Sequence, residues 1–546
     1  MSYKFQYQVE EPFFPDFHNG LAFAKNEIWE GSDYINMAKV IPWADIEALV
    51  APHLKKLGRR QLSVRCQLGL LLAQNMEGCS DRTLIRYTIE NHYLRIFLGL
   101  DEYGNEPPCC YSLIHFIRVR FEPFMAEIQN LINQKYQAAI KFVEPESLER
   151  TTEKFKQLNI EKQSINDIQS NDIANNQKST DVCAPSNVDE EDNKRTGHAS
   201  EPPTTDTKIP NKGTMLIDAT VSPADIAYPT DWRLIYDSFR VLHHVICELR
   251  EQHFHFKERF NAQVFRKHYL KIAKAKKITT EKKREELRYM LLFLSRAVKA
   301  FSSIPKDLLN KYIRKSTIFK CDTAVKIYEQ QQAMWNDKSS TITNRIVSLN
   351  QPWVRPIIRG KSRAKIEFGM KVDVAMVNGV TYVDRLSYDA YSEGNDLIRF
   401  IENYKIRFGF WPERVRVDQG YQTEQNRQFC IERNIILCGK PLGRKQKNKT
   451  QQNLSDQDIA DELRGRIPIE GKFGEAKRNY TLDRLMSHTP ATSYTTVYAI
   501  FILMDIKKWV RLFFVSFSKV VFYDMLEIWH WILSRVHIKL PKNASF

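Results

Sequence analysis

The chain has 546 residues, of which 43% are hydrophobic and 27% charged, and its formal net charge is +16. That length and balance exclude a wholly disordered chain and allow two or three domains with their own cores. The positive charge indicates a polyanionic partner, either nucleic acid or an acidic membrane surface, without choosing between them. The nine cysteines include no CxxC pair, so we expect free thiols in a reducing compartment and no zinc ligand set.

Residues 1–143 are predicted to form an all-α N-terminal domain. Apolar residues recur at helical spacing in WADIEALVAPHLKKL and GCSDRTLIRYTIENHYLRIFLGL, with Ser80 and Ser112 as expected N-caps. QLSVRCQLGLLLAQNM is more apolar and is predicted to be central. Short helices with exposed arginines are typical of a helix-turn-helix-like DNA reader, and a basic helical bundle is the alternative. The arginines concerned are Arg82, Arg86, Arg118 and Arg120.

Residues 144–212 are rich in Ser, Thr, Asn, Asp, Glu, Lys and Pro and nearly free of aromatic residues. Such a segment buries too little apolar surface to offset the entropy of ordering it, so a disordered polar linker is expected.

Residues 213–490 are predicted to form a mixed α/β domain. The apolar strand Met215–Ile217 ends at Asp218, and a helical insertion follows over about 231–350. Alternating apolar and polar residues flank Asn378-Gly379, the strongest short signal for a β-hairpin. Helices and strands then alternate through RVRVDQG and IILCGKP. Apart from the insertion, this is the element order of a ribonuclease-H-like mixed sheet.

Residues 491–546 form an apolar segment interrupted by charged residues such as Asp505, Lys508 and Asp524. No uncharged run is long enough to cross a bilayer, so no membrane partner is expected. The segment is predicted to form helices that pack on a core, or a helix that binds a partner.

Three acids occupy positions suited to metal chemistry. Asp218 and Asp418 each follow a predicted strand, where α/β folds place their ligands, and Glu470 begins a predicted helix. Moving a phosphodiester bond requires stabilisation of an attacking and a leaving oxygen, which two Mg²⁺ ions held by carboxylates provide. Taken singly, an acid at the end of a strand is more often a turn former or a helix cap than a metal ligand.

The third acid also lies in a helical pattern. Arg466, Glu470 and Lys477 are spaced by four and seven residues, which places all three near one side of a helix. The acid can then bind metal while the two cations contact DNA phosphates. Glu475, five residues beyond Glu470, is predicted to face away.

Two further basic segments stand out. Gly439–Asn453 contains Arg444, Lys445 and Lys447, and residues 266–288 contain a dense cluster of Lys and Arg. Both segments are interpreted either as DNA-phosphate contacts or as solvated surface.

Four stretches carry a family resemblance: LIDATVSPADIAYPTD, VRPIIRGKSRAKIEFGMKVDVAMVNG, RVRVDQGYQTEQN and RIPIEGKFGEAKRNYTLDRL. In these, and in SDRTLIRYTIENHYLRIFLGL, the chain resembles the DDE transposases of bacterial insertion sequences, in the insertion sequence five group. The resemblance identifies Asp218, Asp418 and Glu470 as the catalytic, metal-binding acids. Arg466 and Lys477 match the family signature Y-x2-R-x3-E-x6-K, whereas its Tyr is replaced by Leu463.

The resemblance implies binding of terminal inverted repeats, followed by metal-dependent DNA cleavage and strand transfer. It implies two Mg²⁺ ions, which Mn²⁺ can replace, double-stranded DNA as partner at the transposon ends and target, and a homo-oligomer on paired ends. A cytoplasmic, nucleoid-associated bacterial protein is expected. Two alternatives remain at this point: a metal-dependent nuclease of the same fold, and a non-catalytic DNA-binding protein derived from a transposase.

Overall fold

The structure is a computed structural model that describes residues 32–54, 62–101, 104–136, 210–358, 366–439 and 464–535. Residues 513–535 are described as helical backbone. Residues 144–209 of the predicted linker lie outside the described residues, as do Leu463 and the basic residues Arg444, Lys445 and Lys447.

In the described residues before the linker, the chain forms seven α-helices. They are α1 Asp33–Val40, α2 Trp43–Val50, α3 Val64–Glu77, α4 Asp81–Glu90, α5 His92–Leu98, α6 Ser112–Phe121 and α7 Met125–Lys135. Helix α3 is buried along most of its length, as its apolar sequence predicted. The predicted cap at Ser80 is confirmed, because its hydroxyl accepts a hydrogen bond from the Thr83 N–H at 3.2 Å. Ser112 is instead the first helical residue and does not cap α6.

One six-stranded mixed sheet follows, as the α/β pattern predicted. Its strands are β1 Thr214–Pro223, β2 Arg355–Ile358, β3 Ile366–Val377, β4 Val380–Ser387, β5 Arg414–Arg416 and β6 Ile436–Cys438. The order across the sheet is β4-β3-β1-β5-β6, with antiparallel β4, β3 and β1 and parallel β1, β5 and β6. The sequence did not predict β2, which pairs with the start of β3.

The predicted hairpin joins β3 and β4. Asn378 and Gly379 have φ of 50° and 77°, and these positive values suit the two-residue turns that match the twist of paired strands. Lys508 donates a hydrogen bond to the Asn378 carbonyl from the C-terminal part of the chain. The hairpin is therefore held by its turn and by a distant segment.

Five helices lie between β1 and β2, over the range predicted for a helical insertion. They are α8 Asp231–Glu251, α9 Ala262–Ala273, α10 Thr280–Ser302, α11 Lys306–Tyr312 and α12 Lys315–Asn336. Their buried residues, including Phe239, Phe265, Leu294 and Cys321, form a cluster separate from the main core.

Helices cover both faces of the sheet. These are α13 Leu397–Phe408, α14 Glu424–Glu432, α15 Ile467–Asn479 and α16 Pro490–Arg535. Successive side chains of a strand point to opposite faces. Tyr382 of β4 accordingly contacts Phe408 of α13, while the neighbouring Thr381 binds Asp505 of α16.

The N-terminal helices share the core of the sheet. Gln129 and Asn133 of α7 each donate a hydrogen bond to the Thr381 carbonyl, at 3.0 and 3.1 Å, and both also donate to the Asp505 carboxylate. Helix α7, strand β4 of the hairpin and the C-terminal helix α16 thus meet in one buried polar network. Within the described residues, no helix is long and apolar enough to cross a membrane.

Candidate active site

The pairing of β1 with β5 places two acids side by side. Leu216 lies opposite Arg416 in the parallel register, and Asp218 and Asp418 each follow two residues later. Because side chains alternate along extended chains, the two acids lie at the same level and on the same face. The two acids therefore lie on neighbouring strands of the sheet.

The two acids differ in their local backbone. Asp218 lies in the middle of β1 rather than at its end, because β1 continues to Pro223 in antiparallel pairing with β3. Strand β5 stops at Arg416, and Asp418 caps the short helical turn that follows by accepting the Gln419 N–H at 2.8 Å. Beyond the end of β5, Asp418 is exposed, whereas Asp218 stays largely buried within β1.

Arg466 lies between the two acids. Its guanidinium is 3.4 Å from the Asp218 carboxylate and donates a hydrogen bond to Asp418 at 3.3 Å. The side chains of Arg466 and Asp218 are 12% and 16% exposed, whereas that of Asp418 is 59% exposed. A cation therefore bridges the two carboxylates at the edge of a buried site.

Burial raises the pKa of Asp218 to about 6. The Arg466 charge and the hydrogen bond from the Ala219 N–H, at 2.8 Å, oppose this shift. The nearby carboxylates of Glu393 and Asp418 reinforce it. An acid in such surroundings favours a bound cation, because a positive charge restores the stabilisation that burial removes.

Glu470 lies on the helix that carries Arg466. Arg466 is the N-cap of α15, and Glu470 is exposed in its first turn. The helix is continuous through Lys477, so Arg466, Glu470 and Lys477 share one side as expected. Glu475 instead pairs with Lys472 at 3.0 Å.

The expected convergence of all three acids is not seen. Within the described part of the chain, no three His, Cys, Asp or Glu side chains lie close enough together to hold a metal ion. Asp218 and Asp418 approach the Arg466 guanidinium, while Glu470 lies about one turn further along α15. Two of the three predicted ligands are therefore assembled.

Two residues near this site were missed by the sequence analysis. Arg416 packs against the backbone of Gly465, where an added Cβ would lie 2.7 Å from the guanidinium carbon. Glu393 binds Lys371 at 2.7 Å and precedes Gly394, which packs on the Gly420 carbonyl just after Asp418. An arginine within an apolar strand was the only available signal for Arg416, and none marked Glu393.

The four N-terminal arginines have different surroundings. Arg82 and Arg86 are exposed on α4, and Arg86 pairs with Glu90 at 3.5 Å. Arg118, expected to be exposed, is 8% exposed and forms a two-fold hydrogen-bonded pair with Asp81. Arg120 is half-buried and donates to Gln67 at 2.7 Å. The expectation of exposure was wrong for Arg118 because a distant acid anchors it.

Two family models match the chain. A transposase DDE domain matches residues 415–507, and a transposase domain (DUF772) matches residues 23–120. Two separate segments of the chain thus resemble transposase domains. The resemblance to DDE transposases of insertion sequences is thereby confirmed. The DDE match includes Asp418 and Glu470, whereas Asp218 precedes it.

A curated relative is the uncharacterized protein ORF8 in the nfe locus of Rhizobium meliloti, which is 28% identical over 118 residues. The match covers 21% of this chain and 56% of that protein, so the chain matches about half the length of its relative. No solved structure matches the chain.

Proposed function

We propose that the protein is a DDE transposase that cleaves DNA at terminal inverted repeats and joins the freed 3′ ends to target DNA. The observation that supports this most directly is that Asp218 on β1 and Asp418 just after the neighbouring parallel strand β5 both contact Arg466. Both transposase-domain matches agree with this activity.

The strand order supports a ribonuclease-H-like core for this activity. Three antiparallel strands followed by two parallel strands, with helices on both faces, correspond to the order expected from the sequence. In this proposal the helices between β1 and β2 are an insertion, and the helices before β1 supply a helix-turn-helix-like DNA contact. The boundaries 1–143, 144–212, 213–490 and 491–546 remain our proposed domain division.

The side chains proposed for this site are of the chemical kind that binds divalent cations. Asp218 and Asp418 offer hard carboxylate oxygens, the ligands that Mg²⁺ prefers, and the Arg466 guanidinium already occupies the space between them as a cation. Glu470 would complete the set from α15. When bound, Mg²⁺ or Mn²⁺ would activate the attacking water and stabilise the leaving oxygen.

The protein's own residues would bind and orient the DNA. Arg466 presents a planar fork that suits a phosphate group, and Lys477 follows it on the same side of α15. Exposed Arg82 and Arg86, with half-buried Arg120, would position the repeat, and so would Arg444, Lys445 and Lys447 outside the described residues. Because Arg118 is held by Asp81, we expect it to support α6 rather than to contact DNA.

The test compares Asp218→Asn, Asp418→Asn and Glu470→Gln with wild type on DNA carrying the element's ends and on target DNA. We expect each variant to lose Mg²⁺-dependent cleavage and to retain DNA binding. Asp389→Asn, with a side chain 79% exposed and no proposed role, is the matched control. Retained cleavage in a variant would remove that acid from the site.

Product analysis separates the remaining functions. Joined strand-transfer products support transposition, cleavage without joining would indicate a nuclease of the same fold, and binding without cleavage by wild type would indicate a non-catalytic DNA-binding protein. A homo-oligomer on paired ends predicts complexes that contain two end fragments.

A further inference from the structure

The loop between α9 and α10, with the start of α10, forms a strongly basic and exposed segment. Lys274, Lys276, Lys277 and Lys282 are all exposed there and are here called the basic tip. Residues 266–288 contain ten Lys or Arg and three acids, so this segment carries seven of the sixteen net positive charges of the whole chain. This concentration of charge lies outside the Asp218–Asp418 site.

Some cations of this segment serve the fold. Lys271 binds Glu286 at 2.7 Å, Lys283 lies over the Trp232 ring at 4.7 Å, and Arg284 donates to the Trp335 carbonyl at 2.6 Å. These contacts fasten α9 and α10 to each other and to their neighbours. The remaining cations of the segment take no part in this packing.

Seven exposed cations of the segment have no ion-pair partner among the described residues. They are Arg266, Lys267, Lys274, Lys276, Lys277, Lys282 and Arg288. Exposed like charges repel one another and contribute nothing to packing, so their clustering favours an anionic partner.

The two helices that flank the basic tip, α9 and α10, pack against each other. His268 of α9 binds Glu286 of α10 at 2.5 Å, and its ring stacks on Tyr289 at 4.8 Å. Phe265 and Ile272 of α9 are buried in the core of the five helices. The two helices that flank the loop are therefore packed against each other without a partner, which reduces the entropy lost on binding.

We propose that the basic tip binds the phosphate backbone of duplex DNA outside the Asp218–Asp418 site and without regard to sequence. Phosphates recur every ~1.7 Å along a duplex, so several flexible lysines on one exposed segment can each contact a phosphate. Lysine is a point charge with rotatable donors and suits such contacts, whereas base readout uses fixed bidentate groups. This inference rests on DNA being the substrate.

The test neutralises three lysines together, as Lys274→Gln, Lys276→Gln and Lys277→Gln. Affinity for a fluorescently labelled duplex of arbitrary sequence is measured by anisotropy over a series of salt concentrations. Each lost phosphate contact lowers the slope of log Kd against log salt by about 0.9, so the triple variant should show a slope smaller by about 3.

A control variant with the same change in charge carries Lys306→Gln, Lys311→Gln and Lys315→Gln, three exposed lysines of α11 and α12. We expect it to keep the wild-type slope. Equal losses in both variants would show that net charge, rather than the tip, governs binding and would overturn the inference. A wild-type slope in the tip variant would overturn it as well.

The outcome is separable from that of the proposed function. At saturating DNA, the tip variant should cleave at the wild-type rate, because its lysines lie outside the acidic site. If wild-type protein binds no duplex DNA and instead binds vesicles of anionic lipid, both proposals fail. If wild type binds and cleaves DNA while the tip variant is unchanged, only this inference fails.

Discussion

Arg466 separates the two acids that we propose as cation ligands, so its removal should strengthen cation binding. A divalent ion entering between Asp218 and Asp418 must displace the guanidinium, which lies 3.4 and 3.3 Å from the two carboxylates. The substitution Arg466→Gln removes this competing charge and retains a side chain of similar length. The expected result is tighter Mn²⁺ binding in the absence of DNA.

The expected gain in Mn²⁺ affinity is estimated from how deeply each of the two Arg466 contacts is buried. The contact with Asp218 is a largely buried ion pair, so we assign it about 1.5 kcal/mol, somewhat above the ~1 kcal/mol upper value for an exposed pair. The Asp418 contact is more exposed and contributes about 0.5 kcal/mol. A total of about 2 kcal/mol corresponds to roughly 30-fold tighter binding, since 1.4 kcal/mol is tenfold.

The assay is calorimetric titration of DNA-free protein with Mn²⁺, supported by the electron paramagnetic resonance signal of Mn²⁺. Loss of Arg466 removes a charge that lowers the pKa of Asp218, so protons would compete with the ion near neutral pH. Titration at about pH 8 keeps the carboxylate ionised in both proteins.

Arg484→Gln is the matched control, because Arg484 pairs with Asp225 at 2.7 Å in a different ion pair. It should leave Mn²⁺ affinity unchanged. Weaker or unaltered Mn²⁺ binding by Arg466→Gln would refute the proposal that Arg466 competes with the metal ion for the two carboxylates. Cleavage by this variant should fall despite the tighter binding, because Arg466 is also proposed to hold a DNA phosphate.

Three further predictions concern stability and positioning. Asp505→Asn should lower the free energy of unfolding by about 3 kcal/mol in denaturant titration, because an amide nitrogen would face buried donors; a loss no larger than that of Asp389→Asn would contradict this. Burial raises the pKa of Asp373 to about 7, above its ordinary value of 3.8. The folded state therefore holds a proton on this carboxyl that the unfolded state releases, and the stability that the proton gives is lost as pH rises between these two values. Asp373→Asn should therefore gain stability relative to wild type from pH 5 to 7, measured as unfolding midpoints, and a constant difference would exclude the raised pKa. Gly465→Ala should displace Arg416 and weaken cleavage while the protein stays folded by circular dichroism, and unaltered cleavage would show that this contact does not position α15.

Several features were predictable from short stretches of sequence. The Asn378-Gly379 turn depends on two residues that tolerate positive φ, and the Ser80 cap depends on one hydroxyl placed three residues before a free N–H. The three acids and the helical spacing of Arg466, Glu470 and Lys477 were likewise visible as local patterns. Local backbone preferences act over a few residues, so a sequence window contains their whole cause.

Other features were decided by contacts between distant residues. The register of β1 on β5 aligns acids two hundred positions apart, and Arg466 reaches both from a later helix. The sequence indicated that Arg118 is exposed, but in the fold it is buried and donates a hydrogen bond to Asp81. The N-terminal helices and the sheet share a core through Asp505, which no periodicity could indicate. The sequence by itself determined which side chains could carry the chemistry, and only tertiary packing decided which of them meet, because strand register and burial depend on the whole core.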